Sequence, residues 1–201
     1  MTPLARVLLP ALAAGTLLSG CATPVGPVEV TRFHLPDTTV LGRGTIRVEP
    51  APGDDGSSIE FRTYAAAVAQ ELTRLGYSEA VPGGAAGAQV AVLHVERETI
   101  APARRNGPVS VGVGGGTGSY GSGVGLGLGI NLSGAPKDQV ETRLSLTIRD
   151  RASNQSLWEG RARFAVPANA PLAQAPLGAA KMAQALFRGF PGESGETIVV
   201  P

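Results

Sequence analysis

The stretch from Val140 to Val166 sets the tightest limits on how this chain folds. Val140, Thr142, Leu144, Leu146 and Ile148 alternate with Glu141, Arg143, Ser145, Thr147 and Arg149. Successive side chains of a strand point to opposite faces, so this run has one apolar face and one wet face. A polar turn, DRASNQ (150–155), follows. Trp158, Ala162, Phe164 and Val166 then alternate with Glu159, Arg161 and Arg163. The two runs predict an antiparallel hairpin. Its apolar face needs cover and its wet face does not, which points to a sheet with helices on one side. The register stays open, and with it whether Arg143 and Arg149 meet Glu159 or Arg161 across the strands.

The cover is encoded nearby. Between Ser57 and Leu75, Phe61, Ala65, Val68, Leu72 and Leu75 recur at helical spacing, with Gly76 as the stop. Ser57 and Glu60 have the spacing of a capping box. A second helix opens at Pro171 or Pro176 and runs to about Phe187, with Leu172, Leu177, Met182, Leu186 and Phe190 as its apolar face. Further strands are expected at Val28–Leu35, Thr45–Glu49 and Val90–Val95. Thr197–Val200 is either an edge strand or disordered. The expected fold is α+β: a two-layer domain with a mainly antiparallel sheet and two helices on one face. One domain spans 28–201, interrupted by a Gly-rich hairpin or loop at 107–134.

That insert holds twelve of the chain's 28 glycines. VSVGVG and VGLGLGINL alternate at period two on either side of a turn region around Tyr120. Three readings stay open. The insert is a loop, a hairpin arm that docks on a partner, a second copy or the membrane surface, or a hairpin inserted in the membrane. Residues 124–132 number only nine, the lower limit for a spanning strand. Tyr120, Leu126 and Leu128 are its candidate contact residues. Gly116–Gly121 matches GxGxxG by chance, because no helix can start in the glycines that follow.

The N-terminus carries the sharpest motif. Arg6 precedes an apolar run of twelve residues, Val7–Leu18, too short to span a bilayer and proportioned like a secretory signal. Leu18-Ser19-Gly20-Cys21 resembles the lipobox of bacterial lipoproteins, which implies removal of residues 1–20 and diacylglycerol on the Cys21 thiol. Two or three acyl chains anchor stably where one does not. Residue 22 is Ala rather than Asp, which by analogy with enteric sorting favours the outer membrane. Residues 21–27 then form a short lipidated tether.

Composition narrows the function. Seventeen Lys and Arg face sixteen Asp and Glu, and Arg6 leaves with the leader, so the mature chain is neutral. It has no electrostatic footprint for nucleic acid. A single cysteine excludes a disulfide framework and a multi-thiolate metal site. His34 and His94 sit inside expected strands without metal-ligand spacing, Asp54-Asp55 reads as a turn, and Arg104-Arg105 reads as a solvated loop. No nucleophile and base pair is apparent, no catalytic residue is assigned, and no cofactor or metal is expected. Arg143, Arg149, Arg161 and Arg163 form the one concentrated patch of a single sign, and Arg143, Arg161 and Arg163 are candidate partner-binding residues.

The lipobox, a strand ending in Phe33, YAAAVAQELTRLGY, AQVAVLHV, the Gly-rich insert, LSLTIRD, LWEGRA and ALFRGFPG, in that order, resemble domain-of-unknown-function family 4136. The resemblance covers most of residues 28–192. It implies an outer-membrane lipoprotein facing the periplasm, with an α+β fold and no catalytic residues to carry over. The expected role is a non-enzymatic accessory, scaffold or binding protein of the cell envelope. It is held by its lipid, engages an envelope protein partner and is a possible homo-oligomer. The alternative is a carrier of a lipid or other apolar ligand. A hydrolase is the least favoured reading.

Overall fold

The structure, a computed structural model, describes residues 26–80, 88–101, 109–116, 123–130 and 138–201. In chain order the elements are β1 (Val28–His34), β2 (Thr45–Pro50), α1 (Ile59–Arg74), β3 (Ser78–Glu79) and β4 (Gln89–Ile100). Then come β5 (Val109–Gly116), β6 (Gly123–Ile130), β7 (Gln139–Asp150), β8 (Ser156–Pro167), a 3-10 turn at Pro171–Ala173, α2 (Ala175–Leu186) and β9 (Thr197–Val200). Seven strands form one sheet in the order β3-β2-β4-β7-β8-β1-β9. The sheet is mixed. β2 lies parallel to β3 and β4, and the remaining pairs are antiparallel.

The alternation of β7 and β8 becomes the two faces of this sheet. Leu144, Leu146, Ile148, Trp158, Ala162, Phe164 and Val166 are buried on the side where α1 and α2 pack. α1 covers β2 and β4, while α2 covers β8 and β1, and the two helices pack against each other. The register pairs Ile148 with Trp158 and Leu146 with Gly160. A Cβ added at Gly160 would lie 2.2 Å from the Trp158 ring and 2.8 Å from Leu186 Cδ1. Glycine is therefore what lets the indole lie flat beneath α2. Trp158 is 1% exposed, stacks on Phe187 at 5.6 Å and meets Phe190 at 5.3 Å.

Several local expectations change. The cap of α1 is Ser58, whose Oγ accepts from the Phe61 N–H at 3.0 Å. Ser57 turns back instead to Asp55, donating to Oδ1 through N (2.8 Å) and Oγ (2.6 Å). Glu60 does not complete a capping box: its Oε1 accepts from Arg97 Nη1 at 2.6 Å. Tyr64 joins the buried stripe of α1, and Gly76 ends that segment with a positive φ that a Cβ would strain against the Gly42 carbonyl at 2.6 Å. In α2 the buried side is made of Gly178, Ala179, Met182, Ala183, Ala185 and Leu186, whereas Leu177 is 49% exposed. Small residues bring the two helices close, and that approach turns Leu177 away from the core.

β9 is an ordered edge strand on β1. β5 and β6 pair antiparallel as a separate two-stranded sheet, with Val111 opposite Leu128, Val113 opposite Leu126 and Gly112 opposite Gly127. The turn around Tyr120 lies outside the described residues.

Gly160→Ala tests the packing under α2. Replacing glycine in a strand gains roughly 0.5–1 kcal/mol of conformational freedom removed from the unfolded chain. Overpacking costs roughly 1–3 kcal/mol. A net loss of stability is expected, read as a lower urea midpoint with an unchanged slope. A midpoint equal to or above the parent's would contradict this packing.

Candidate functional surface and groove

Opposite the helices, the sheet presents its second face. Among the described residues no helix lies on it. One row of paired positions runs Glu29–Arg163–Arg143–Glu96 across β1, β8, β7 and β4. The register thus sets Arg143 directly opposite Arg163, a like-charge pair that repels unless bridged. Glu141 is the bridge. Its carboxylate accepts from Arg163 Nε at 3.1 Å and Nη2 at 2.8 Å, and it pairs with Arg143 Nη2 at 2.7 Å. Glu141 is 4% exposed, and Arg143 also pairs with Glu96 at 3.3 Å. The hydrogen bonds from Arg163, together with both cations, hold the Glu141 carboxyl below its ordinary range, and the carboxylate raises both arginines in turn.

The expectation of a patch of one sign is therefore corrected. The arginines of β7 and β8 are interleaved with Glu29, Glu96, Glu141 and Glu159 on the same face. Arg151, at the end of β7, pairs with Glu49 of β2. Arg161 stands apart: it is exposed, lies between Thr31 and Ser145, and forms no ion pair among the described residues.

Two further features escape a linear reading. His94, opposite Ser145, bonds through Nδ1 to Asp54 Oδ2 at 2.7 Å, which pins the β2–α1 loop onto this face. Asp54 and His94 are forty residues apart, and only the pairing of β2 with β4 brings them together. The segment 188–196 is held by three side chains that reach its carbonyls. Arg32 Nη1 donates to Arg188 O at 2.7 Å, Trp158 Nε1 donates to Pro191 O at 3.0 Å, and a His34 ring nitrogen lies 3.2 Å from Gly192 O. Arg32 is only 3% exposed, and burial lowers the pKa of its guanidinium while Glu196 opposes the shift.

At the end of the sheet where β2 and β4 begin and the β7–β8 turn lies, a groove of about 830 Å³ is lined by Leu35, Asp37, Thr39, Val40, Arg43, Gln89, Asp150, Ser153, Gln155 and Leu157, among others. That volume lies within the range of small-molecule sites. Gln89 is buried there, donating through Nε2 to Val40 O (3.0 Å) and Arg43 O (3.3 Å) and accepting from Tyr77 OH at 3.3 Å. Asp37 and Asp150 are committed to local turns with Thr39 and Ser153, whose hydrogen bonds lower both carboxyl pKa values. A smaller pocket of about 280 Å³ adjoins it and shares Leu35 and Leu157. No cluster of three or more metal-ligating side chains occurs among the described residues.

Of the residues singled out in the sequence, Arg143 and Arg163 meet at Glu141, and Arg161 lies two residues along on the same face. Leu126 and Leu128 lie on β6. Leu18, Ser19, Gly20, Cys21 and Tyr120 lie outside the described residues. No helix among the described residues is long and apolar enough to cross a membrane.

The fold is thus an α+β domain with one helix-covered face and one charged face. The family model described as "Domain of unknown function (DUF4136)" matches residues 33–192, and the chain belongs to that family. An uncharacterized protein of Zymomonas mobilis subsp. mobilis is 32% identical over 213 aligned positions, covering 85% of this chain and 79% of that protein. Among solved structures, a PDZ domain protein from Parabacteroides distasonis aligns with a TM-score of 0.47 and 13% identity. The alignment covers 96% of this chain and 42% of that one.

Glu141→Gln tests the bridge through pH. Because the folded carboxyl is held below its unfolded value, the bridge contributes stability above an unfolded pKa of roughly 4.3, and that contribution is lost as pH falls through the folded value. The variant is expected to be less stable than the parent at neutral pH, with the gap closing in acid. A gap independent of pH between 7 and 3 would contradict the bridge.

Proposed function

We propose that this chain is a lipid-anchored protein of the bacterial envelope, cleaved before Cys21 and held on the periplasmic face of the outer membrane. Its domain acts without catalysis, as an accessory or scaffold that binds an envelope protein. The lipobox-like Leu18-Ser19-Gly20-Cys21 supports the anchor. The observation that carries the binding role is the sheet face on which no helix among the described residues lies, with Arg161 exposed among the hydroxyls of Thr31 and Ser145. Its alternating charges fit a folded protein partner with complementary pairs, since such patterns give specificity and register more than bulk attraction.

Two measurements test this. Radiolabelled palmitate is expected to enter the parent in cells and to be lost from Cys21→Ala; equal labelling would remove the anchor. A photo-crosslinker at position 161 is expected to capture one envelope protein in intact cells, whereas one at Arg62 on α1 captures none. Capture from position 62 alone, or from neither position, would contradict a partner on the open face.

A second reading draws on the groove. Leu35, Val40 and Leu157 give it apolar wall, so a carrier of a small apolar ligand is the alternative. Native mass spectrometry of the full chain would then show a bound ligand that Val40→Arg displaces; a clean spectrum would count against it.

A further inference from the structure

The sheet gives the domain two unlike ends. β1 runs antiparallel to β8, so Val28 sits opposite Phe164, near the C-terminal end of β8. β8 runs antiparallel to β7, and β7 to β4, so the end of β8, the start of β7 and the end of β4 lie at the same edge of the domain. The chain leaves the sheet there at Ile100 and returns at Gln139, carrying β5 and β6 between. Arg97 ties two more elements to this end: it binds Glu60 in the first turn of α1 and the Ala173 carbonyl just before α2.

Among the described residues, this end carries exposed large apolar side chains on both helices and on β4. Ile59 at the start of α1 is 77% exposed, Leu177 in the first turn of α2 is 49% exposed and Ile100 at the end of β4 is 44% exposed. The opposite end carries the polar β7–β8 turn and the groove.

We infer that the end bearing Ile59, Ile100 and Leu177 seats on the lipid bilayer. The inference rests on the proposed lipidation of Cys21. Val28 begins β1 at this same end, and it lies only seven positions along the chain from Cys21, with six residues between them. At ~3.3–3.6 Å per extended residue, the tether reaches at most about 25 Å. The membrane therefore stays within one domain length of these side chains, and a short tether makes shallow contact effectively intramolecular. The end carries Glu60 and Glu98 as well as Arg97, so the seating is apolar rather than a charge attraction to anionic lipid. It turns the groove and the β7–β8 turn away from the membrane.

Fluorescence quenching tests the orientation. In the acylated chain the Cys21 sulfur is consumed, so Ile59→Cys, Leu177→Cys and Ala152→Cys each add one free thiol for an environment-sensitive dye. The labelled full chains are reconstituted in phosphatidylethanolamine–phosphatidylglycerol vesicles containing a spin-labelled lipid, and the mass of the N-terminal peptide reports acylation. Quenching at 59 and 177 is expected to exceed that at 152 by about twofold or more, and to be insensitive to salt. Equal quenching, or more at 152, on an acylated chain would overturn the orientation and leave the anchor standing. An N-terminal peptide without acyl mass would overturn the anchor, and the orientation with it.

Discussion

Everything in this fold depends on the pairing of β7 with β8. These twelve-residue strands divide their side chains between a dry face and a charged one. On the dry face, burial of Leu144, Leu146, Ile148, Trp158 and Phe164 supplies the apolar area against which α1 and α2 are held. Each fully buried side chain of this size contributes about 1.5–3 kcal/mol, so these positions dominate the core. A shift of β7 by one residue against its neighbours would put Arg143 into that core and Leu144 into water, and the same slip of β8 would bury Arg161. Glu141 strengthens the pairing from the other face, where it holds two arginines that would otherwise repel across the strands.

The central pair also organises the periphery. Trp158 lies over Gly160, contacts Phe187 and Phe190, and donates to Pro191, so one side chain of β8 ties α2 to the segment that leads into β9. Arg32 and His34 of β1 grasp the same segment by its carbonyls. On the other flank, β4 carries both Arg97, which joins the starts of the helices, and His94, which holds the β2–α1 loop. The result is a domain with distinct faces and distinct ends, and both are consequences of strand direction.

Much of this was legible in the sequence because it is written in local periodicity. The alternation at 140–166 and the apolar spacing at 57–75 specify the central strands and α1. The interactions that escaped are those between residues distant in sequence. The bridge at Glu141 needs the register that places Arg143 opposite Arg163. The Asp54–His94 contact needs β2 beside β4, and the burial of Arg32 needs the 188–196 segment folded over it. Leu177 was misplaced because hydrophobicity alone does not reveal that Gly178 and Ala179 are the residues facing the core. The two-residue β3 carries no periodic signal at all.

The claim that the β4–β7–β8 core underlies the whole fold is tested most directly by native-state amide hydrogen exchange. Backbone amides of the residues buried in β4, β7 and β8, such as Leu93, Leu146 and Ala162, are expected to exchange only through global unfolding. Amides of β3 and β9 are expected to exchange through smaller, local openings. If the amides of α1 or β9 outlasted those of β7 and β8, the stable centre would lie elsewhere and the account would be wrong.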